Sequence, residues 1–209
     1  LNILRIEQLD YRDHHVLEFV IGAQKQMAGV DVLNALVSFK EEFEVDLAVQ
    51  DDTLFRRNKR LIVMDADMTF LQCEVIDELG KVAGVGEELG RITKAAMNGE
   101  VDFGEALKRR VSLLKGLTVE QLEGVAKRIP LTNGAEALVR ILKRLGFKIA
   151  IVSGGFRFFI DRLKETYQMD YGFANQLELV DGKVTGNLCG EMIDAHAKKK
   201  ILMELAKRE

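Results

Sequence analysis

From residue 61 onward, the spacing of hydrophobic and polar positions alternates between two periods. Leu61–Met64 and Phe147–Val152 are short continuous apolar runs, typical of strands covered on both faces in a parallel sheet. Around them, apolar residues recur at helical spacing, so the pattern predicts an α/β fold with a parallel, right-handed crossover sheet. The other predicted elements are a helix opened by Asn133 and Glu136 and closed by Gly146, a helix after Ser153-Gly154-Gly155, a short strand around Tyr171–Ala174, a hairpin turning at Asp181-Gly182 and a final helix from about Asp194.

Residues 72–129 carry helical spacing throughout, in three successive apolar stripes. Thr118 with Gln121 matches a capping box in front of a further helix. This block interrupts the strand–helix alternation, so we predict a helical cap inserted over the carboxyl ends of the strands, where ligands bind in such sheets. The core would then comprise residues 61–71 and 130–209.

Residues 1–49 have a separate pattern that predicts strand, strand, helix, strand. Val16–Ile21 is a β-type run, apolar residues from Val30 to Phe43 recur at helical spacing, and Val45–Val49 alternates with period two. Residues 50–60 are polar and charged, as expected of a linker. The chain starts at Leu1 and stops within a helical pattern, so we expect both ends to be cut from something longer.

Composition narrows the class of protein. The 209 residues are 47% apolar and 30% charged with a net charge of −3, enough for one core and a smaller appendage without the basic stripe of a nucleic-acid-binding protein. No segment approaches the ~18 consecutive apolar residues of a membrane span. The two cysteines lie far apart and the three histidines lack ligand-like spacing, so we expect a reduced, cytoplasmic protein without structural zinc.

The candidate chemistry begins directly after the first apolar run, at Asp65-Ala66-Asp67-Met68-Thr69. Residues two apart in an extended segment point to the same side, so Asp65 and Asp67 can face one ligand. One carboxylate can attack phosphorus and the other can act as general acid and base. Two acids beside a phosphate repel it unless a hard cation intervenes, which implies Mg²⁺. The alternative is a strand end with solvated acids.

Two further features gain interest only beside that pair. Ser153-Gly154-Gly155 follows the next strand and precedes a helix, where a hydroxyl and backbone N–H groups can hold phosphate, although such turns are common. Lys198 lies one turn into the last helix, in a Lys-Lys-Lys run that would otherwise indicate a solvated face. It could supply the cation that offsets the two aspartates.

These motifs, in this order, are similar to the first three motifs of the haloacid-dehalogenase phosphatases. The stretches VMDADMTFLQCEVIDELG, GEVDFGEALKRRVSLLKGL, IAIVSGGF and YGFAN…DGKVTG extend the resemblance over about residues 60–208 to the branch that dephosphorylates phosphoserine. Residues 1–49 resemble the latter half of the ACT-like regulatory domain of many bacterial members, which leaves a homodimer through this segment open. The resemblance implies a Rossmann-like parallel sheet with a helical cap.

The resemblance also implies roles for individual residues. It makes Asp65 the phosphorylated nucleophile and Asp67 the general acid and base, and it assigns Mg²⁺ to both. The implied substrate contacts are Ser153, Gly154 and Lys198 for phosphate, Glu74 and Arg110 for the ammonium and carboxylate groups of O-phosphoserine, and Met97 and Phe103 as apolar cap positions that close over it. Without the resemblance, Glu74 could complement a helix N-terminus, Arg110 could lie on a solvated helix face, and the apolar pair could be plain cap core.

Two departures qualify the resemblance. Met68 stands where the family usually has Ser, so we expect altered loop packing rather than lost chemistry. The family's fourth, acidic motif, which completes the Mg²⁺ shell, has no counterpart between Lys198 and Glu209. In the family's sheet, the strand that carries this motif lies beside the Leu61–Met64 strand. We therefore expect the Leu61–Met64 strand to have a bare edge. We also expect the 209 residues alone to have little or no phosphatase activity, which Mg²⁺-dependent phosphate release from L-phosphoserine would test.

Three hypotheses about function remain open. The leading one is hydrolysis of O-phospho-L-serine in the last step of serine biosynthesis. A second keeps the aspartyl-phosphate but acts on another small phosphomonoester or passes the phosphoryl group to an alcohol. A third is a non-catalytic fragment that senses an amino acid or mediates pairing.

Overall fold

The computed structural model describes residues 2–10, 16–22, 39–40, 43, 45–49 and 60–209. The chain divides into two compact units, Leu1–Asn58 and Lys59–Glu209.

The first unit contains an antiparallel pair of strands, β1 (Asn2–Asp10) and β2 (Val16–Gly22). Both were predicted from β-type spacing, and both are confirmed. Their exposed apolar residues include Ile3, Ile6 and Phe19. Because paired residues in an antiparallel ladder point to the same face, the Ile3–Ile21 and Ile6–Phe19 pairs place these side chains on one side of the strand pair.

The remainder of the first unit tests the predictions only in part. Residues 39, 40 and 43 are helical, in agreement with the predicted helix, whose other residues lie outside the described ranges, as do residues 50–59 of the predicted linker. The predicted strand at Val45–Val49 is wrong, because these residues have no regular secondary structure. Alternation alone does not make a strand; a neighbouring strand must pair with the backbone N–H and C=O groups, and none of the described residues does so. The ACT-like assignment stays a prediction.

The second unit is built on a four-stranded sheet in the order β3 (Leu61–Met64), β4 (Lys148–Phe156), β5 (Tyr171–Val180) and β6 (Lys183–Cys189). The first three strands are parallel, and β6 is antiparallel to β5. The predicted parallel sheet is therefore confirmed, with an antiparallel hairpin at one side. Among the described residues β3 is an edge strand, and its four side chains are half-buried rather than fully covered.

Two predicted strand limits are corrected. β4 does not end before Ser153 but stays extended through Ser153-Gly154-Gly155 to Phe156. β5 runs to Val180, beyond the predicted short strand, because its second half pairs with β6. The hairpin turn is confirmed at Asp181 and Gly182, which have φ angles of 51° and 73° and so adopt the left-handed conformation of tight hairpin turns.

Seven helices are described in the second unit. They are α1 (Val75–Ala83), α2 (Gly86–Met97), α3 (Phe103–Ser112), α4 (Val119–Ala126), α5 (Ala135–Arg144), α6 (Arg157–Thr166) and α7 (Ala195–Arg208). The first four form the predicted helical block between β3 and α5, and the capping box of Thr118 and Gln121 is confirmed at the start of α4. Asn133 is not a cap: α5 follows Gly134, at a φ of 82°, without a side-chain cap. The boundaries of cap and core stay predictions.

One hydrophobic cluster joins the helical block to the sheet. Leu79, Leu89 and Leu122 from the block share it with Ile149 and Ile151 of β4, and all five are buried. The shared cluster fixes the helical block over the sheet. In the part of the chain that the structure describes, no helix is long and apolar enough to cross a membrane.

Candidate active site

The two aspartates lie on a wide turn that leaves β3. Asp65 keeps the extended conformation of the strand, and Leu71 N–H donates to the Ala66 carbonyl at 2.9 Å, which closes the turn. Asp67 remains extended at φ −65° and ψ 133°, whereas Met68 is left-handed at φ 54°. The chain thus turns away only after both carboxylates have been presented.

Both oxygens of the Asp65 carboxylate have partners. Oδ1 accepts from the backbone N–H of Ala66 at 2.7 Å, and Oδ2 accepts from Lys198 Nζ at 2.6 Å. The side chains of Asp65 and Lys198 are 43% and 32% exposed, so the ion pair is accessible to a ligand. The lysine that the sequence offered as a counter-charge is in contact with the first aspartate.

Asp67 is held from two different elements. Its Oδ1 accepts from the N–H of Val75, the first residue of α1, at 2.9 Å, and its Oδ2 accepts from Ser153 Oγ at 2.8 Å. Ser153 is fully buried, and its Oγ accepts from Gly155 N–H at 2.8 Å. A Cβ atom on Gly155 would lie only 2.8 Å from Asp67 Oδ2, so this carboxylate requires glycine there.

A buried amide that sequence reasoning missed joins two of these elements. Asn175 on β5 is 2% exposed, donates from Nδ2 to the Gly154 carbonyl at 2.8 Å and accepts at Oδ1 from Ile193 N–H at 2.7 Å. Asp194 then caps α7 by accepting from Ala197 N–H at 2.8 Å. Asn175 directly follows the predicted strand at Tyr171–Ala174, and Gln176 and Glu178 after it are also polar, so no local signal marked this residue.

These groups border a cavity of about 480 Å³. Of the predicted residues, Asp65, Asp67, Glu74, Phe103, Arg110, Gly154 and Lys198 line it. Ser153 does not line it but contacts Asp67 from beneath. Thr69 is exposed and also does not line it; its carbonyl accepts from Thr132 Oγ1 at 2.6 Å, which ties the turn to the chain before α5. The structure therefore brings most of the predicted set together.

Glu74 and Arg110, hereafter the cap pair, are the charged residues that the helical block contributes to the cavity. Burial raises the pKa of the Glu74 carboxyl, and the charges of Asp67 and Asp77 raise it further, while the Arg110 charge opposes them. The Nε atom of Arg110 is buried and has no hydrogen-bond partner among the described residues. Both charges thus stand in the cavity without full compensation from the protein.

The two residues predicted as apolar cap contacts, Phe103 and Met97, differ in whether they line the cavity. Phe103 lines the cavity, and its Cζ lies 3.4 Å from the position that a Cβ on Gly154 would take, so the first turn of α3 meets the end of β4 here. Met97 does not line the cavity. It is the last residue of α2 and is 84% exposed, so its assignment as a substrate contact does not agree with this arrangement.

The comparisons with known proteins agree with this geometry. Residues 62–209 match the model of the haloacid dehalogenase-like hydrolases. The chain belongs to this family. The second unit therefore has the predicted family fold, with the aspartates directly after the first strand of its sheet.

Two curated relatives are phosphoserine phosphatases. That of Archaeoglobus fulgidus is 48% identical over 193 residues, covering 92% of this chain and 56% of the relative. That of Methanocaldococcus jannaschii is 46% identical over 153 residues, covering 73% of this chain and 72% of the relative. The chain spans about half the length of several other phosphoserine phosphatases that it matches.

Two solved structures share the fold. One is described as a phospho-aspartyl intermediate analogue of phosphoserine phosphatase and the other as a substrate-bound phosphoserine phosphatase complex. Each has a TM-score of 0.66 and 46% sequence identity, and each match covers 71% of this chain and 71% of the other.

Members of this family generally use Mg²⁺, and the donor atoms at this site suit that ion. Asp65 and Asp67 offer hard oxygen donors, the kind that Mg²⁺ prefers, and this ion commonly takes only one or two carboxylates and completes its shell with phosphate and water. Within the described ranges, no group of three or more His, Cys, Asp or Glu residues is arranged to hold a metal ion. The donor chemistry fits Mg²⁺, with a small number of ligands from these residues.

Proposed function

We propose that the protein hydrolyses O-phospho-L-serine to L-serine and phosphate through an aspartyl-phosphate on Asp65. The main support for this substrate comes from Arg110, which lines the same cavity as Asp65 and Lys198. Its buried Nε atom has no hydrogen-bond partner among the described residues. A buried, unsatisfied guanidinium nitrogen is costly unless a ligand completes it. The names of the relatives and of the solved structures point to the same substrate.

The phosphoryl transfer starts at Asp65. An Asp65 oxygen attacks phosphorus and the bond from phosphorus to the serine oxygen breaks, which leaves the phosphoryl group on the carboxylate. Lys198, already 2.6 Å from Asp65 Oδ2, offsets the negative charge of aspartate and phosphate together. The backbone around Gly154 borders the cavity and offers a place for phosphate oxygens.

Asp67 acts as the general acid and base. It gives a proton to the departing serine oxygen and takes one from the water that attacks the aspartyl-phosphate, after which phosphate leaves and Asp65 is regenerated. Its hydrogen bonds from Val75 N–H and Ser153 Oγ hold the carboxylate in one orientation throughout.

The cap pair reads the amino-acid part of the substrate. The planar guanidinium of Arg110 suits a carboxylate, because it can donate two parallel hydrogen bonds. Glu74 supplies the anion for the ammonium group, whose positive charge would lower the raised pKa of this carboxyl on binding. Phe103 adds an apolar wall beside Gly154. A phosphomonoester without an amino-acid head would leave both charges unpaired.

We propose Mg²⁺ as the cofactor, held by the Asp65 carboxylate and the main-chain carbonyl of Asp67. When bound, it would neutralise part of the phosphate charge that two aspartates otherwise repel. Its role is tested by activity after removal and return of Mg²⁺, and by thermal stabilisation of the substrate-free protein on adding Mg²⁺.

The proposed function is tested by phosphate release, in Mg²⁺, from L-phosphoserine, phosphothreonine, glycerol phosphate and p-nitrophenyl phosphate. We expect a clear preference for L-phosphoserine and no turnover by an Asp65→Asn variant. A preference for a phosphoester without an amino-acid head would contradict the substrate. Turnover that survives Asp65→Asn would contradict the mechanism.

Several expectations stay predictions. The same assay tests whether the 209 residues alone have little or no phosphatase activity. A place in serine biosynthesis, a cytoplasmic location and pairing through residues 1–49 are open to separate measurements of growth, fractionation and solution mass.

A further inference from the structure

Asn175 lies between two parts of the cavity wall that are far apart in the sequence, at Gly154 and Ile193. Among the described residues, Ser153 and Asn175 are the two buried polar side chains, and Ser153 already contacts Asp67. Asn175 contacts neither aspartate. Its amide donates to the Gly154 carbonyl and accepts from the Ile193 N–H, at 2.8 and 2.7 Å.

The Gly154 contact concerns the end of β4. Gly154 lies between Ser153, which donates to Asp67, and Gly155, whose N–H donates to Ser153 Oγ. Fixing the Gly154 carbonyl fixes the direction of the peptide that borders the cavity. The Asn175 amide therefore acts on the phosphate-side backbone without touching a ligand.

The Ile193 contact concerns the segment that carries Lys198. Ile193 immediately precedes Asp194, whose side chain caps α7 and whose carbonyl accepts from Lys198 N–H at 2.9 Å. Ile193 also lies against β4, since its carbonyl is 3.8 Å from the position of a Cβ on Gly154. Holding Ile193 sets where α7 begins and hence where Lys198 reaches Asp65.

Together these contacts close a ring around the phosphate side of the cavity. Asp67 is joined to Ser153, Gly154 to Asn175, Asn175 to Ile193, and Lys198 to Asp65. Asn175 supplies the one side chain in this ring that is neither a proposed ligand-binding group nor adjacent in sequence to one. A buried amide with both a donor and an acceptor contact holds a fixed distance between its partners more firmly than apolar packing does.

We propose that Asn175 is a positioning residue that sets the spacing between Gly154 and Lys198 for a tetrahedral phosphate group. This inference rests on the proposed function only in assuming that a phosphate group binds there; it does not depend on the identity of the rest of the substrate. It predicts that Asn175 governs phosphate affinity and turnover, while the affinity of the cap pair for free L-serine is unaffected.

The test uses two substitutions in the whole protein. Asn175→Leu fills a similar volume but removes both hydrogen bonds. Asn175→Asp keeps the acceptor for Ile193 N–H but places a carboxylate oxygen against the Gly154 carbonyl. Leu177→Ala is the matched control, because Leu177 is buried two residues further along β5 and its apolar side chain cannot hydrogen-bond to the ring.

The readouts are the affinity for inorganic phosphate, the affinity for L-serine, kcat with p-nitrophenyl phosphate, and thermal unfolding. For Asn175→Leu we expect phosphate affinity and kcat to fall by about 10- to 100-fold, the usual cost of a small misplacement in a site. Asn175→Asp should show a smaller loss of the same kind. Serine affinity should stay within about twofold in both variants.

The control separates positioning from folding. Leu177→Ala should unfold at a lower temperature yet keep phosphate affinity and kcat when assayed well below that temperature. If Asn175→Leu retains wild-type phosphate affinity, or if it loses phosphate and serine affinity equally, the proposal is wrong. If one of the two Asn175 variants does not fold, the same measurements on the variant that folds decide the proposal.

The outcome is separable from that of the proposed function. A wild-type protein that binds phosphate and hydrolyses p-nitrophenyl phosphate but ignores phosphoserine would overturn the substrate while leaving the Asn175 measurements fully interpretable. If the wild-type protein prefers phosphoserine and the Asn175 variants keep wild-type phosphate affinity and kcat, the proposed function stands and the role of Asn175 is overturned.

Discussion

The core and the cap supply the two charged sides of one cavity, and they differ in how far the protein itself satisfies them. On the core side, Asp65 pairs with Lys198 and Asp67 with Ser153, and a backbone N–H group satisfies the second oxygen of each carboxylate; we call these four residues the core quartet. On the cap side, Glu74 has a raised pKa and Arg110 has a buried nitrogen without a partner in the described structure.

This difference suggests a division of labour. Groups that meet charge developing in a reaction work best when already fixed, since they then need no reorganisation at the transition state. Groups that select a ligand work best when the protein leaves them unpaired. A ligand that cannot pair with them then leaves buried polar groups unsatisfied, and this energetic cost disfavours its binding. The core quartet matches the first description and the cap pair the second.

The largest expected effect removes the nucleophile from the core quartet. Asp65→Asn keeps the size of the side chain but not the attacking carboxylate, so we expect kcat to fall by at least about 10⁴-fold on every phosphoester. Steady-state rates on L-phosphoserine and p-nitrophenyl phosphate measure this. Asp161→Asn is the control, because Asp161 forms a partly exposed ion pair with Arg157 within α6 and should leave the rates unchanged.

The next effect disturbs the quartet without removing a member. Gly155→Ala would bring a Cβ to 2.8 Å from Asp67 Oδ2 and 3.0 Å from Ser153 Oγ, so the carboxylate must shift. We expect kcat to fall by about 100-fold, since a displacement of this size misaligns the acid and base. Gly124→Ala within α4 meets no atom within 4 Å and should leave kcat unchanged while stabilising the helix by about 0.5–1 kcal/mol. Equal losses in both variants would contradict a specific role for Gly155.

A smaller effect tests the cap side through pH. Because the pKa of Glu74 lies above its ordinary value of 4.5, the carboxyl becomes charged only as the pH rises beyond that value. L-Serine should therefore bind more tightly as the pH rises through this window. The free energy of unfolding contributed by Glu74 should fall over the same window, because the folded state holds the proton more strongly than the unfolded state does.

Glu74→Gln should abolish both trends and weaken serine by about tenfold at neutral pH, as expected for a lost charged hydrogen bond. Calorimetric titration at several pH values measures the affinity, and denaturant unfolding measures the stability. Glu78→Gln, one turn further along the chain and paired with Lys81, is the control. A pH dependence that persists in Glu74→Gln would assign it to another group.

The smallest effect concerns Met68, which lies on the turn directly after Asp67. Its φ of 54° is costly for this side chain, and the side chain is 66% exposed, so Met68→Asn should stabilise the protein by up to about 1 kcal/mol. Because Met68 does not line the cavity, kcat should stay within about twofold. Thermal unfolding and the phosphate-release assay measure the two quantities. A large loss of activity would show that this position takes part in the chemistry.

The parts of the molecule that sequence could predict are those fixed by local spacing. The continuous apolar run before Asp65 indicated a strand whose end carries both acids, and Thr118 with Gln121 indicated a helix start; both follow from interactions within a few residues. Lys198 was one of three consecutive lysines, and only the resemblance distinguished it.

The parts that sequence could not predict depend on distant partners. Asn175 gains its meaning from Gly154 and Ile193, which approach it only in the folded sheet. The alternation at Val45–Val49 suggested a strand, but strand formation requires a pairing partner that local spacing does not supply. Met97 has an apolar side chain, yet its place at the end of α2 leaves it exposed.

The most direct test of the account compares Arg110→Met with Arg109→Met on two substrates. Arg109 is the adjacent residue on α3, paired with Glu105 and outside the cavity. We expect Arg110→Met to lower kcat/KM for L-phosphoserine by about 100-fold, the cost of leaving a substrate carboxylate unpaired, while kcat/KM for p-nitrophenyl phosphate stays unchanged. Arg109→Met should change neither. An Arg110→Met protein that keeps its wild-type preference for L-phosphoserine would contradict the claim that the cap pair selects the substrate.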